Sequence, residues 1–295
     1  MRPFAHLHLH STYSVLDGFC KIDNLIEKVK YFEMPGVALT DHGVMYGAVE
    51  FWNKATAAGV NPVIGLEAYL SPRGMTQKEW ALDRKAFHLL LLAENMVGYQ
   101  NLLKIASAAQ LEGFYYVPRI DKDFLAKHAE GLISTTGCLS GEIPRALQAG
   151  QINKAEELLA WYLEVFGQEN FFIELQEHDN VPDLKVINSL LLDLGKKFGV
   201  EFIATNDVHY IEPDDAEYQD ILLAIQTGSR LNDYGRFKMS GDSYYLRSPI
   251  EMEALFGHIP GAIENTVSIV ERCSLDLTRK CYHLPHFAVP ETIET

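Results

Sequence analysis

Residues 5–11 read Ala-His-Leu-His-Leu-His-Ser, three histidines alternating with leucines. Strict alternation is the period of a β-strand, and it places His6, His8 and His10 on one face. Two imidazoles at i and i+2 can grip one metal ion. His-x-His alone is a weak signal, because a buried histidine is more often a hydrogen-bonded core residue. The reading of this stretch therefore depends on what the rest of the chain brings to the same end of the fold.

Six more apolar, β-rich runs follow the strand expected over 4–10. They cover 37–41, 62–69, 87–93, 131–136, 171–176 and 201–207. Helical patterns separate most of them, at 22–32, 45–58, 96–110, 152–166 and 183–198. Strands alternating with helices predict a parallel α/β architecture, compatible with a barrel or an open doubly wound sheet. Runs such as Ala-Phe-His-Leu-Leu-Leu-Leu-Ala (86–93) fit a sheet buried on both faces. No glycine-rich dinucleotide fingerprint follows the first strand, and no phosphate-binding P-loop occurs, which weakens a nucleotide-binding reading. The stretch 71–84 reads as a polar excursion, and 212–273 as a helical, loop-rich tail.

The other strand ends change the odds for the histidines. The second ends in Thr-Asp-His, with Asp41 and His42. The third carries Glu67, the fourth His88, and the fifth leads to Cys138. The sixth offers Glu174 and His178, the seventh Asp207 and His209, and Asp17 follows the first. In parallel α/β folds the carboxyl ends of the strands surround the ligand site. Metal-type side chains at every end predict a metal centre.

Bulk properties bound the partners. Of 295 residues, 47% are hydrophobic, enough for a sizeable core in one large α/β domain. No apolar run approaches the roughly 20 residues of a bilayer span, and the N-terminus lacks a signal core. A cytoplasmic protein is expected, with no membrane partner. Cys20, Cys138, Cys273 and Cys281 form no Cys-x-x-Cys pair, and no disulfide framework is expected. The net charge of −15 argues against a broad duplex-binding face, since such faces neutralise phosphates with basic side chains. Carboxylates gathered around divalent cations suit the same balance, and the cations would invert the local field.

The stretches Phe-Ala-His-Leu-His-Leu-His-Ser-Thr-Tyr-Ser-Val-Leu-Asp-Gly (4–18), Ala-Leu-Thr-Asp-His-Gly-Val-Met-Tyr-Gly (38–47), Gly-Leu-Ile-Ser-Thr-Thr-Gly-Cys-Leu-Ser-Gly-Glu-Ile-Pro (131–144) and Ala-Thr-Asn-Asp-Val-His-Tyr (204–210) are far more specific. With them the chain resembles the polymerase and histidinol phosphatase (PHP) superfamily, in particular the N-terminal PHP domain of bacterial DNA polymerase III α subunits. The resemblance runs over essentially the whole chain. It implies a distorted seven-stranded (β/α)7 barrel with a multinuclear metal site at the C-terminal ends of the strands. The family's ligand set falls on His8, His10, Asp17, His42, Glu67, His88, Cys138, Asp207 and His209, and all nine positions hold ligand-capable residues. It implies a PHP domain over 1–283 and a linker over 284–295 toward polymerase modules.

Imidazoles with a thiolate favour zinc, manganese or iron over magnesium, and the nine ligands would serve two to three divalent ions. A metal-bound hydroxide is the expected nucleophile. The resemblance makes a 3′→5′ exonuclease the leading expectation, with a DNA 3′ end as substrate. The rest of the polymerase III α chain and a proofreading exonuclease subunit are the expected partners. Asp17 or His209 would protonate the leaving oxygen. Two further readings stand beside it: a non-catalytic, metal-stabilised scaffold that binds partners, and a phosphomonoesterase of the histidinol phosphatase type.

Other residues draw a plainer reading. His6 is expected to pack one step deeper than His8 and His10. Asp41 is divided between orienting His42 and binding metal, and Glu174 and His178 are candidates to support the ligands. Arg119 and Arg145 are candidates for substrate phosphate, though a paired arginine is the commoner case. Tyr115 and Tyr116 offer a base-stacking pair, with core packing favoured. Cys273, Cys281, His283 and His286 fit no standard zinc spacing.

Overall fold

The computed structural model describes residues 2–278. Seven strands form one sheet: β1 (Gly36–Leu39), β2 (Asn61–Leu70), β3 (Phe87–Ala93), β4 (Arg119–Ile120), β5 (Leu132–Thr135), β6 (Phe171–Leu175) and β7 (Phe202–Ala204). Their spatial order is β1-β2-β3-β5-β6-β7, and β4 pairs with the end of β2. The helices are α1 (Ile22–Tyr31), α2 (Ala48–Ala58), α3 (Trp80–Asp83), α4 (Met96–Leu111), α5 (Lys122–Ala126), α6 (Glu142–Gln148), α7 (Ile152–Phe166), α8 (Asp183–Phe198), α9 (Ala216–Gln226), α10 (Pro249–Phe256) and α11 (Glu264–Arg272). In α1 the buried residues Ile22, Leu25, Ile26 and Val29 follow the i, i+3, i+4, i+7 stripe that faces a core.

Residues 4–10 join the two ends of the sheet. The carbonyls of His6 and Leu9 accept from the amides of Ala38 and Thr40 along β1, at 2.8 and 2.9 Å. On the other side the His8 carbonyl and the His10 amide pair with Val208 beyond β7, at 3.0 and 2.7 Å. The sheet thereby curls into a distorted α/β barrel, as the resemblance implied.

Two features depart from the sequence reading. First, 4–10 is not a regular strand. Ala38 and Thr40 are two residues apart, yet they meet His6 and Leu9, three apart. One extra residue is a bulge, and it flips the alternation. Ala5 and Leu7 pack inside the barrel with Leu90, Leu92 and Ile133, whereas Leu9 packs in the outer core. His8 and His10 consequently face the barrel mouth, and His6 does not share their face. Its Nε2 lies 2.8 Å from the Arg247 carbonyl.

Second, the sheet is not all parallel. β3 runs antiparallel to both β2 and β5. The excursion from Ser71 carries only the single turn of α3, too little for a crossover helix, so the chain returns from the end where β2 finished. His88 therefore sits at the start of its strand and still lies at the mouth, beside the carboxyl ends of the parallel strands.

The barrel interior is apolar, and α11 closes its far end. Ile269 and Val270 of α11 and Cys273 join the interior cluster. The Asn61 side chain at the start of β2 donates to the Val270 carbonyl, and Arg272 pairs with Glu94 just past β3, at 2.7 and 2.9 Å. Among the described residues, the mouth is the end left for a polar site. The linker expected over 284–295 lies outside the described residues, as do Cys281, His283 and His286.

Candidate metal centre

Seven of the nine expected ligands fall into three overlapping groups: His8, His10 and Asp207; His42, Glu67 and His88; and His10, His42 and His209. Glu67, 1% exposed in the second half of β2, is the hub. Its Oε1 lies 3.3 Å from His8 Nε2 and 2.8 Å from His88 Nδ1. Its Oε2 lies 3.3 Å from His10 Nε2 and 2.6 Å from His42 Nδ1. Asp207 Oδ1 lies 3.3 and 3.2 Å from the Nε2 atoms of His8 and His10. Two donors that share one ion through bonds of about 2.1 Å stand about 3–3.4 Å apart.

The donor atoms themselves test whether a metal fits. His8 Nε2, His10 Nε2, His42 Nδ1, Glu67 Oε2 and Asp207 Oδ1 are all buried, and none has a hydrogen-bond partner. An orphaned buried polar atom costs about 1–3 kcal/mol, and five orphans aimed at one another are explained by cations between them. Asp207 also holds a left-handed backbone, φ +46°, an uncommon state for a non-glycine residue and one that clusters at functional sites.

The remaining two expected ligands, Asp17 and Cys138, stand at the rim. Asp17 Oδ2 lies 3.0 Å from His42 Nε2, and Asp17 Oδ1 lies 3.9 Å from His209 Nε2. The turn that carries Asp17 needs Gly18, where a Cβ would stand 2.0 Å from the Ser11 carbonyl oxygen. Cys138 Sγ lies 3.6 Å from His88 Nδ1 and 3.7 Å from Glu67 Oε1.

Charge follows from crowding. Burial opposes ionisation of Glu67, but His88, His42 and His8 outweigh it and hold the carboxyl well below the usual range. Burial likewise works against Asp17 and Asp207, and their histidine neighbours keep both ionised. Burial disfavours a proton on His8, yet Asp207, Glu174 and Glu67 raise its pKa well above the ordinary value. His10 falls to about 3, through burial and the neighbouring His42 and His209. Burial, with Glu67 and Asp207, pushes the Cys138 thiol up. Metal ions would take the place of the protons these groups hold.

A shell of partners fixes the ligands. His8 Nδ1 lies 2.7 Å from Glu174 Oε1, and the Glu174 carboxylate also accepts from Thr135, Gln176 and Thr205, at 2.5, 2.9 and 2.6 Å. Glu174 thus orients the His8 imidazole. The Asp41 carboxylate makes no hydrogen bond to the His42 ring and belongs to none of the three groups. It accepts from the Ser11 amide and from the hydroxyls of Ser11 and Ser14, and Ser14 Oγ lies 3.2 Å from His10 Nδ1. His178 stacks on Tyr244 with centroids 3.8 Å apart.

Arg119 is fully buried, and its guanidinium donates to the carbonyls of Asp83, Met75, Gln77 and Gly113. It ties down the 71–86 excursion and does not face the mouth. Arg145 donates to Ser140, which lines the cleft over the ligands. That cleft, about 240 Å³, also takes in residues from the distant loop after α9, namely Phe237, Lys238, Met239, Ser240 and Tyr244. Sequence reading missed this loop, and no local pattern marks it.

A family model for the PHP domain matches residues 6–178. The chain belongs to the PHP domain family. Curated relatives of this PHP domain include DNA polymerase III subunit alpha of Borreliella burgdorferi, 43% identical over 294 residues, covering 99% of this chain and 26% of that one. The same subunit of Thermus aquaticus is 43% identical over 300 residues, covering 98% of this chain and 24% of that one. The chain thus spans about a quarter of the length of the curated relatives it matches. Among solved structures, a protein of Bifidobacterium adolescentis classed as a metal-dependent phosphoesterase shares this fold. It is 14% identical, with a TM-score of 0.51 over 94% of this chain and 98% of that one.

Proposed function

We propose that this chain is the metal-dependent phosphoesterase unit of a DNA polymerase III α subunit, and that it removes nucleotides from a DNA 3′ end. The observation that carries the reading is the set of five buried, unpartnered donor atoms converging on Glu67 and Asp207. The proposed ligands are His8, His10, Asp17, His42, Glu67, His88, Cys138, Asp207 and His209. Zinc, manganese and iron suit this imidazole-rich set better than magnesium. Two or three such ions would activate a water and neutralise charge on the phosphate.

The chain's own residues supply the rest. Glu67 and Asp207 hold the imidazoles of two neighbouring groups in one array. Glu174 locks His8 so that its Nε2 faces the centre. His209 Nδ1 donates to the Asp207 carbonyl at 2.7 Å, which turns Nε2 toward Asp17 and the cleft. We assign His209, in the state in which Nε2 carries a proton and not an ion, to deliver that proton to the leaving oxygen, with the Asp17 carboxylate orienting it. The domain is proposed to span 1–283, followed by a linker to polymerase modules, and a proofreading exonuclease subunit is a proposed partner.

Labelled single-stranded DNA incubated with Mn²⁺ and the purified chain tests the reading. Trimming by the parent and its loss in Asp207→Asn and Cys138→Ser are expected. Equal trimming by parent and variants would point to a contaminating nuclease. Phosphate release from a panel of monoesters, without DNA trimming, would favour a histidinol phosphatase type of activity. A metal-dependent melting temperature without any turnover would leave the scaffold reading.

A further inference from the structure

A second cleft, about 370 Å³, opens from the other side of the metal centre. It shares Asp17 and His42 with the cleft that contains Lys238, but its character differs. Tyr46, Tyr69, Phe114 and Tyr116 line it, with the amides of Gln110 and Gln226, and no lysine or arginine does. Three of these rings are unusually open: Tyr46 is 65% exposed, Phe114 50% and Tyr116 61%. Rings of this size normally bury against a core. Tyr116 is held outward by a strained backbone, φ +63°, in a tight turn closed by the Tyr115 amide and the Val117 carbonyl, 3.1 Å apart. Folding alone gives no reason to hold an aromatic ring in solvent on a left-handed residue.

We infer that this cleft is a base-stacking subsite, which takes the terminal nucleobase of a single-stranded 3′ end whose phosphate lies over the metal centre. The inference rests on the phosphoesterase reading above and deepens it. A cleft with aromatic faces and no lysine or arginine among its described lining residues suits an uncharged π-ring better than a phosphate. The ionic part of a nucleotide would lie toward the expected metal ligands and Lys238, the lysine that lines the adjoining cleft. Glutamine amides at the rim present donors and acceptors to a base edge. Stacking also supplies affinity that a chain of charge −15 cannot draw from phosphate contacts.

The test uses an oligothymidylate ending in 3′ 2-aminopurine across a cleavage-resistant phosphorothioate, titrated into the Zn²⁺-supplemented chain. Stacking quenches 2-aminopurine fluorescence. The parent is expected to quench it, and Phe114→Ala and Tyr116→Ala each to weaken binding about tenfold, since one base–ring stack is worth about 1–3 kcal/mol. Tyr116→Phe, which keeps the ring, is expected to restore parental affinity. On cleavable substrates the parent should prefer a terminal base over an abasic terminus, and Phe114→Ala/Tyr116→Ala should erase most of that preference. Undiminished quenching and an unchanged preference in the double variant would overturn the subsite, as would a parent that never quenches. A parent that quenches but releases no nucleotide with Mn²⁺ or Zn²⁺ would sink the exonuclease reading and leave the subsite standing.

Discussion

Four side chains converge on the Glu174 carboxylate: His8, Thr135, Gln176 and Thr205. Residues that orient a ligand imidazole typically govern metal affinity by about 10–100-fold. Glu174→Gln keeps the volume and loses the charge that fixes His8. Metal titration of the chelator-treated variant should show affinity reduced by that factor, with far-UV circular dichroism unchanged. An unchanged affinity would confine Glu174 to packing. His6 offers a contrasting case. Burial holds it neutral, with its pKa lowered to about 4 against 6.5 when unfolded. Below 6.5 the unfolded chain takes up the proton first. Stability is therefore complete above 6.5 and declines as the pH falls toward 4, by about 3 kcal/mol from this one residue. Urea melts of the chelated parent and His6→Gln should differ in slope across that window, and parallel curves would contradict the assignment. At this scale the sequence marked the side chains that the structure brings together at the mouth, because histidine and carboxylate at strand ends are legible one by one. The partners of those residues were not, because Thr135, Thr205 and Ser14 are ordinary hydroxyls whose role depends on long-range contact.

The strands show why local pattern reaches only so far. Apolar runs and helical stripes placed most elements, with α7 and α8 matching the expected 152–166 and 183–198. Alternation in Ala-His-Leu-His-Leu-His-Ser suggested a uniform face, but a single extra residue against β1 breaks it between His6 and His8. A bulge depends on the partner strand and leaves no trace in its own sequence. The reversal of β3 has the same origin. Whether a connection crosses over or turns back depends on its length of helix, and the polar stretch 71–84 gave no direction. Arg119, a phosphate candidate by sequence, proves to be the tie of this connection. Arg119→Met would leave several buried carbonyls without donors. It should cost about 3 kcal/mol in urea melts, as buried polar groups left unpartnered do. A loss of activity without loss of stability would return Arg119 to the substrate.

For the whole molecule, the acidic balance and the metal centre belong together. Ions that bind the folded chain and not the unfolded one stabilise it by mass action. Chelation should therefore lower the melting temperature, and excess Mn²⁺ or Zn²⁺ should restore it. An unchanged melting curve would mean that the donors hold no ion under those conditions. With a charge of −15, binding of single-stranded DNA should depend weakly on salt, at about −0.7 in log–log slope per phosphate engaged. A slope steeper than about −3 would reveal a basic surface that the composition does not suggest. The far end of the barrel carries a different consequence, one that concerns synthesis. The ring closes through residues 4–10 against β1 and Val208, and its floor is α11, which ends at Arg272. During translation His8 and His10 leave the ribosome well before the helix that seals the interior beneath them. A nascent chain that lacks α11 has an apolar barrel open at its base, so the ordered centre is a property of the finished domain.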